Sequence, residues 1–176
     1  MQLYSLILFI VLSIPILFYS WPHLRNRRSH GFYRFFIFES ELLLILLQVA
    51  FWFSDPFSLP QLVSWCLLSL SLVTAIHGFY ILHKYGKPVG DFEATTKLVK
   101  DGAYRYIRHP LYASLLFLGW GAFLKNITWL TLLLVLVSTA ACFMTAKIEE
   151  AECIEKFGEE YDVYMQSTKM FIPFLF

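Results

Sequence analysis

The run YRYIRHPLY, residues 104–112, crowds Arg105, Arg108 and His109 against Pro110 and brackets them with Tyr104 and Tyr112. Proline suits the first turn of a helix, where its missing N–H costs nothing. Arg108 and His109 are therefore expected at the N-terminal mouth of the apolar segment that follows. Such a mouth carries unpaired backbone N–H groups and a partial positive charge, to which an arginine and a histidine add. That is chemistry for holding a carboxylate or a phosphate. A basic patch anchored at a membrane surface by tyrosines is the competing reading, but Gly102, Tyr106 and the proline bring more shape than anchoring requires.

Opposite in sign is the segment 147–170, which holds Glu149, Glu150, Glu152, Glu155, Glu159, Glu160 and Asp162, seven of the thirteen acidic residues. Most of these read as a solvated helix face. Glu149 and Glu150 differ, because they emerge where the last apolar run ends and project toward whatever the basic loop builds. Cys66, Cys142 and Cys153 show no CxxC or Cys/His ligand spacing, so no metal is expected. His77 stands alone in an apolar run and reads as a packing residue.

The elements that must position these groups are set by the composition. The 176 residues are 58% hydrophobic, 19% aromatic and only 15% charged, and the mean hydropathy is +0.60. This is more apolar surface than one small soluble core can hide, which predicts a membrane protein. Runs nearly free of charge, at about 20 residues per crossing, predict five transmembrane helices over 1–21, 37–53, 56–82, 110–124 and 127–146, the fourth being short. Pro15 is expected to bend the first. That run lacks a basic leader and a small-residue cleavage site, so it reads as a span and not a signal peptide. Thirteen of the fourteen Lys and Arg follow the first, third and fifth runs, leaving Lys125 alone on the other side. The positive-inside rule then puts the N-terminus outside and the C-terminus in the cytoplasm. The expected fold is all-α, a single polytopic membrane domain: three N-terminal spans over 1–82, then a loop, a helical hairpin and a cytoplasmic C-terminal helix over 83–176, bent near Gly158.

The succession KLVKDGAYRYIRHPLY, two apolar helices, EE, FGEEYDVY and a closing aromatic IP resembles the isoprenylcysteine carboxyl methyltransferase-like family, and related patterns occur in phospholipid N-methyltransferases. The resemblance covers roughly the last 80 residues. It implies an integral membrane methyltransferase with S-adenosylmethionine as cofactor, bound without a Rossmann domain; there is no GxGxxG in the chain. It implies cofactor contacts at Thr96, Lys97, Leu98, Val99, Tyr104, His109, Pro110, Leu111, Tyr112 and Glu149 or Glu150. The implied partner is a lipophilic or lipidated acceptor in the membrane, with no nucleic acid. Prenylcysteine methyltransferases resemble one another in an arginine four residues before the first glutamate of EE, where this chain has Thr145. Lys147 or Arg34 would have to hold an acceptor carboxylate instead, or the acceptor is an amine, as in phospholipid N-methylation. A membrane reductase of the sterol-reductase type, binding NADPH, and a helical scaffold without catalysis are the alternatives.

Overall fold

The computed structural model describes residues 3–87 and 95–175. Over these the chain is all-α, with helices α1 (Leu3–Leu24), α2 (His30–Gln48), α3 (Leu59–Gly86), α4 (Pro110–Phe123), α5 (Trp129–Phe157) and α6 (Glu159–Ser167). Short 3-10 turns cover Val49–Phe51 and Gly102–Arg105. A parallel bridge between Ile107 and Lys169 is the β-type pairing among the described residues. The start of the first expected span at Met1 and residues 88–94 of the loop lie outside the described residues.

Each expected apolar run falls on one of α1–α5, but three helices, Tyr4–Leu24, Leu59–Gly86 and Trp129–Phe157, are long and apolar enough to cross a membrane. α4, with 14 residues, is about 21 Å long. α2 carries Arg34, Glu39 and Glu41 and starts at His30, seven residues ahead of the expected span, because the Ser29 side chain caps it by accepting from the Gly31 N–H. Its charges are tolerable because the helix lies inside the bundle, packed on α1, α4 and α5. Arg34 and Glu41 are buried. Ser13 of α1 donates to Glu39 at 2.7 Å and Ser138 of α5 donates to Glu41 at 2.9 Å, so neighbouring helices supply partners for both carboxylates.

The tightest packing pairs α2 with α5 and α3 with α4. α5 presents Ala141, Cys142, Thr145 and Ala146, all buried, and α4 presents Ala113 and Ala122. Small side chains let backbones approach closely where lipid supplies no hydrophobic drive. α1 and the outer face of α3 expose large apolar side chains, among them Ile14, Phe18, Leu72 and Val73, as a lipid-facing surface does. A reciprocal capping box between Thr128 and Thr131 starts α5. With 29 residues α5 is about 43 Å long, more than two turns longer than a hydrocarbon layer of about 30 Å, and Glu149 and Glu150 lie in its C-terminal third. Gly158, at φ +59° and ψ −136°, takes a positive-φ extended conformation open essentially to glycine, which ends α5 and turns the chain into α6.

Candidate functional site

Pro110 is in the first turn of α4 and His109 is its N-cap, so the sequence motif stands at a helix mouth. Two devices hold that mouth. Behind it, the tail following α6 pairs with the loop: the Arg108 N–H donates to the Lys169 carbonyl at 2.8 Å and the His109 N–H to the Met170 carbonyl at 3.1 Å. Ahead of it, Gly102 turns at φ +58° directly against α3, and a Cβ there would lie 2.6 Å from His77 Nε2. His77 is therefore a packing residue for the loop, and only glycine serves at 102.

A cavity of about 100 Å³ opens beside the mouth. Leu82 of α3, Leu98, Val99 and Tyr104 of the loop, His109, Leu111 and Tyr112 of α4, Glu149, Cys153 and Phe157 of α5, and Tyr161 and Tyr164 of α6 line it, with Thr95 and Arg108. Its polar residues converge on one edge. The Tyr112 hydroxyl donates to Glu149. His109 Nδ1 is 3.6 Å from Glu149 and Nε2 is 3.7 Å from Glu150. His109 is buried, and its Nε2 has no hydrogen-bond partner among the described residues. Burial alone would push the imidazole's pKa down; attraction to the two carboxylates outweighs it and holds the group above the ordinary histidine value.

The two glutamates divide their work. Glu150 is turned away from the cavity: Arg108 Nε donates to it at 2.7 Å and Lys147 at 3.1 Å. The same guanidinium donates through Nη1 to the carbonyls of Thr168 at 2.6 Å and Met165 at 3.2 Å. Arg108 thus spends its donors joining the loop, α5 and the tail, instead of standing open to a ligand. Tyr164 adds a strap, its hydroxyl donating to the Tyr104 carbonyl at 2.6 Å; burial pushes this phenol's pKa up. Glu149 faces the cavity.

Of the residues singled out from the sequence, the structure gathers Leu98, Val99, Tyr104, His109, Leu111, Tyr112 and Glu149 around one space. Thr96 and Lys97 are exposed, and the Thr96 hydroxyl bonds the Lys87 carbonyl at 3.1 Å; Thr95 lines the cavity beside them. Pro110 is buried behind the mouth. Lys147 pairs with Glu150, and Arg34 is buried in α2, donating to the Tyr19 hydroxyl at 3.2 Å. Thr145 is wholly buried and bonds the Ala141 carbonyl within its own helix. Sequence reasoning did not single out Leu82, Phe157, Tyr161 and Tyr164. The i,i+3 spacing of the last two in YDVY puts them on one helix face and was the available signal. Among the described residues no group of three or more His, Cys, Asp or Glu is placed to hold a metal.

The chain belongs to the phospholipid methyltransferase family, whose model matches residues 60–160. That range runs from the start of α3 into α6 and takes in the cavity lining apart from Tyr161 and Tyr164. Methanethiol S-methyltransferase 1 of Bradyrhizobium diazoefficiens is 28% identical over 169 residues, 95% of this chain and 53% of that protein. The methanethiol S-methyltransferase of Pseudomonas sp. (strain GM41(2012)) is 33% identical over 70 residues, 40% of this chain and 26% of its own length. That of Pseudomonas deceptionensis is 32% identical over 72 residues, 41% of this chain and 27% of its own length. The chain therefore spans about half the length of the first relative and about a quarter of the other two.

Proposed function

We propose that the chain is an integral membrane methyltransferase that takes its methyl group from S-adenosylmethionine and passes it to a lipophilic acceptor. The observation that carries this is the pairing of His109 and Glu149: a buried imidazole at a helix mouth whose Nδ1 lies 3.6 Å from a carboxylate, both on the wall of one cavity. The residues fit the cofactor. His109 and the mouth of α4 suit its carboxylate; Glu149 suits its ammonium or ribose hydroxyls; Leu98, Val99 and Phe157 offer apolar cover for adenine; and the Tyr104 and Tyr112 rings suit a diffuse positive charge. The cofactor supplies an electrophilic methyl on a sulfonium, so the protein's task is to align an acceptor with it and exclude water. Tyr112, fixed by Glu149, and the strapped tail provide that rigidity.

Five membrane crossings by α1–α5 within a single membrane domain, with the basic loop, Glu149 and the C-terminus on the cytoplasmic side, remain the topology that the Lys and Arg pattern supports. Buried in its helix, Thr145 offers an acceptor no cation; Lys147 is engaged with Glu150 and Arg34 with Tyr19. These engagements weigh against an isoprenylcysteine carboxylate and favour an acceptor that gives up a proton to solvent or a base as it takes the methyl group, an amine or a thiol. The relatives' thiol is of that kind, and so is a phospholipid with an amine headgroup.

Thermal unfolding of the purified chain with S-adenosylhomocysteine, NADPH or neither tests the reading, since a ligand stabilises only the fold it binds. S-adenosylhomocysteine should raise the midpoint and NADPH should not; the reverse would establish the reductase alternative.

A further inference from the structure

We propose that the loop 95–100 is a strap across the mouth of the cavity, that Lys156 is its latch, and that a water-soluble ligand of the cavity exchanges by release of this latch. The ligand used in the test is taken from the methyltransferase reading; the latch is independent of it.

The mouth follows from how the helices pair. α3 packs on α4, whereas α5 packs on α2 and α4. The cavity lies between Leu82 of α3 and Cys153, Phe157 and Tyr161 of α5 and α6. Thr95, Leu98 and Val99 line it from the loop, which thus crosses from one wall to the other. On the α3 side the crossing is anchored in packed structure. The Thr96 N–H donates to the Gly86 carbonyl at 2.9 Å. A Cβ on Gly86 would lie 2.7 Å from Thr95 Cγ2, so the loop lies directly against the end of α3. Val99 is buried in a cluster with Ile81 and Tyr104.

On the other side the attachment is of a different kind. Lys156 Nζ donates to the Thr95 carbonyl at 2.6 Å, and Lys100 reaches the opposite way to Glu160 at 2.8 Å. Among the described residues these are the hydrogen bonds that join the loop to α5 and α6. Lys156 is exposed, and the Lys100 and Glu160 side chains are 43% and 61% exposed. Contacts between exposed charged groups contribute little to stability. A strap with one buried edge and one wet edge opens at the wet edge. Lys156 also stands 5.5 Å from the Phe157 ring, which lines the cavity, so its release uncovers that wall first.

Cys153 serves as the reporter, because it lines the cavity behind the strap. The test uses the full chain in a non-ionic detergent, without ligand, and follows alkylation of Cys153 by a charged, water-soluble maleimide through peptide mass spectrometry. Lys156→Met should react about fivefold faster than the wild type, the most that an exposed contact is worth in an opening equilibrium. Lys156→Arg, which keeps a donor for the Thr95 carbonyl, should react as the wild type does, and so should Arg27→Met, at an exposed cation of the α1–α2 turn. Lys156 is the i,i+3 neighbour of Cys153, and a nearby cation favours the thiolate that reacts. Loss of its charge alone would therefore slow labelling, and an increase reads access. Equal rates in the wild type and Lys156→Met, or the same increase in Arg27→Met, would overturn the latch. The association and dissociation rates of S-adenosylhomocysteine should rise together in Lys156→Met, with little change in affinity. A rise in dissociation alone would make Lys156 a piece of the wall and overturn the exchange route. If S-adenosylhomocysteine fails to protect Cys153 in the wild type while Lys156→Met still labels faster, the methyltransferase reading is refuted and the latch stands.

Discussion

Two buried polar clusters stand near opposite ends of the bundle, and they solve the same problem differently. At the α4–α5 turn, Lys125 is 4% exposed, yet among the described residues it forms no ion pair with an acid. Its ammonium lies 3.6 Å from the centre of the Trp65 ring and 5.5 Å from that of Trp52, and donates to Gln61 Oε1 at 3.0 Å. Gln61 and Gln48 in turn donate to the carbonyls of Lys125 and Asn126. This cluster is a staple that joins α2, α3 and the α4–α5 turn. At the other end, Arg108, Glu150, His109, Glu149 and Tyr112 contain formal charges of both signs, and the Arg108–Glu150 half is closed by a hydrogen-bonded ion pair. In the other half Glu149 accepts from the Tyr112 hydroxyl, His109 Nδ1 stands 3.6 Å away, and the group faces a cavity. Burial of charge is common to both; an opening toward space is what distinguishes a site from a staple.

The most severe way to break this comparison is to unpair the closed half of the site. Arg108→Ala leaves Glu150, 4% exposed, with Lys147 and the more distant His109 ring, and removes the donors that hold the Thr168 and Met165 carbonyls. A destabilisation of about 3–5 kcal/mol is expected, as for other buried pairs broken on one side. It should appear as a large fall in the unfolding midpoint and loss of the tail's protection from proteolysis. A small effect would mean that Arg108 is available for ligand and that the division between the glutamates is wrong.

Glu149→Gln should do the opposite, weakening S-adenosylhomocysteine about tenfold to a hundredfold, the worth of a hydrogen bond to a charged group at about 1.5–3 kcal/mol. The midpoint without ligand should move little. If Glu150→Gln weakens binding more than Glu149→Gln at unchanged stability, the roles are exchanged. Lys125→Met keeps the side chain's bulk and removes its charge, so it should cost about 1–2 kcal/mol of stability. It should leave ligand affinity unchanged, as measured by calorimetry. A change in affinity would show that the staple and the site are coupled through α4.

How far these clusters could be read from the sequence depended on whether their partners were local. YRYIRHPLY announced its helix mouth because Pro110 and His109 act within their own turn, and Gly158 announced its break because positive-φ backbone is a one-residue property. The second span was harder. Charge counting trimmed α2 to start after Arg34, since nothing local reveals that Arg34 and Glu41 turn inward, toward partners on α1 and α5. Arg108 reads in sequence as one more cation for an anion, and its engagement with Glu150, Met165 and Thr168, 42 to 60 positions away, is a property of the tertiary fold. For the same reason Tyr161 and Tyr164 were passed over, as α6 folds back to reach the cavity only after Gly158 has turned the chain. The Lys125 cage could not have been anticipated from one lone lysine.

The smallest expected effect concerns protons, and its sign follows from which half of the site is open. The folded protein holds His109 above the ordinary histidine value, because the attraction of Glu149 and Glu150 exceeds the cost of burial. Folding therefore favours the protonated ring. Its contribution to stability is fully present below the unfolded histidine value, about 6.5, and is lost as pH rises through the higher folded value. The unfolding midpoint of the ligand-free protein should thus fall as pH rises from the unfolded histidine value through the higher folded one, with a slope corresponding to the release of less than one proton. His109→Gln should remove this component while leaving the Lys125 staple untouched. If instead the wild type gains stability over His109→Gln as pH rises through about 6.5, the ring is neutral in the folded state while it protonates in the unfolded one. The two carboxylates would then be held by Arg108, Lys147 and Tyr112 alone.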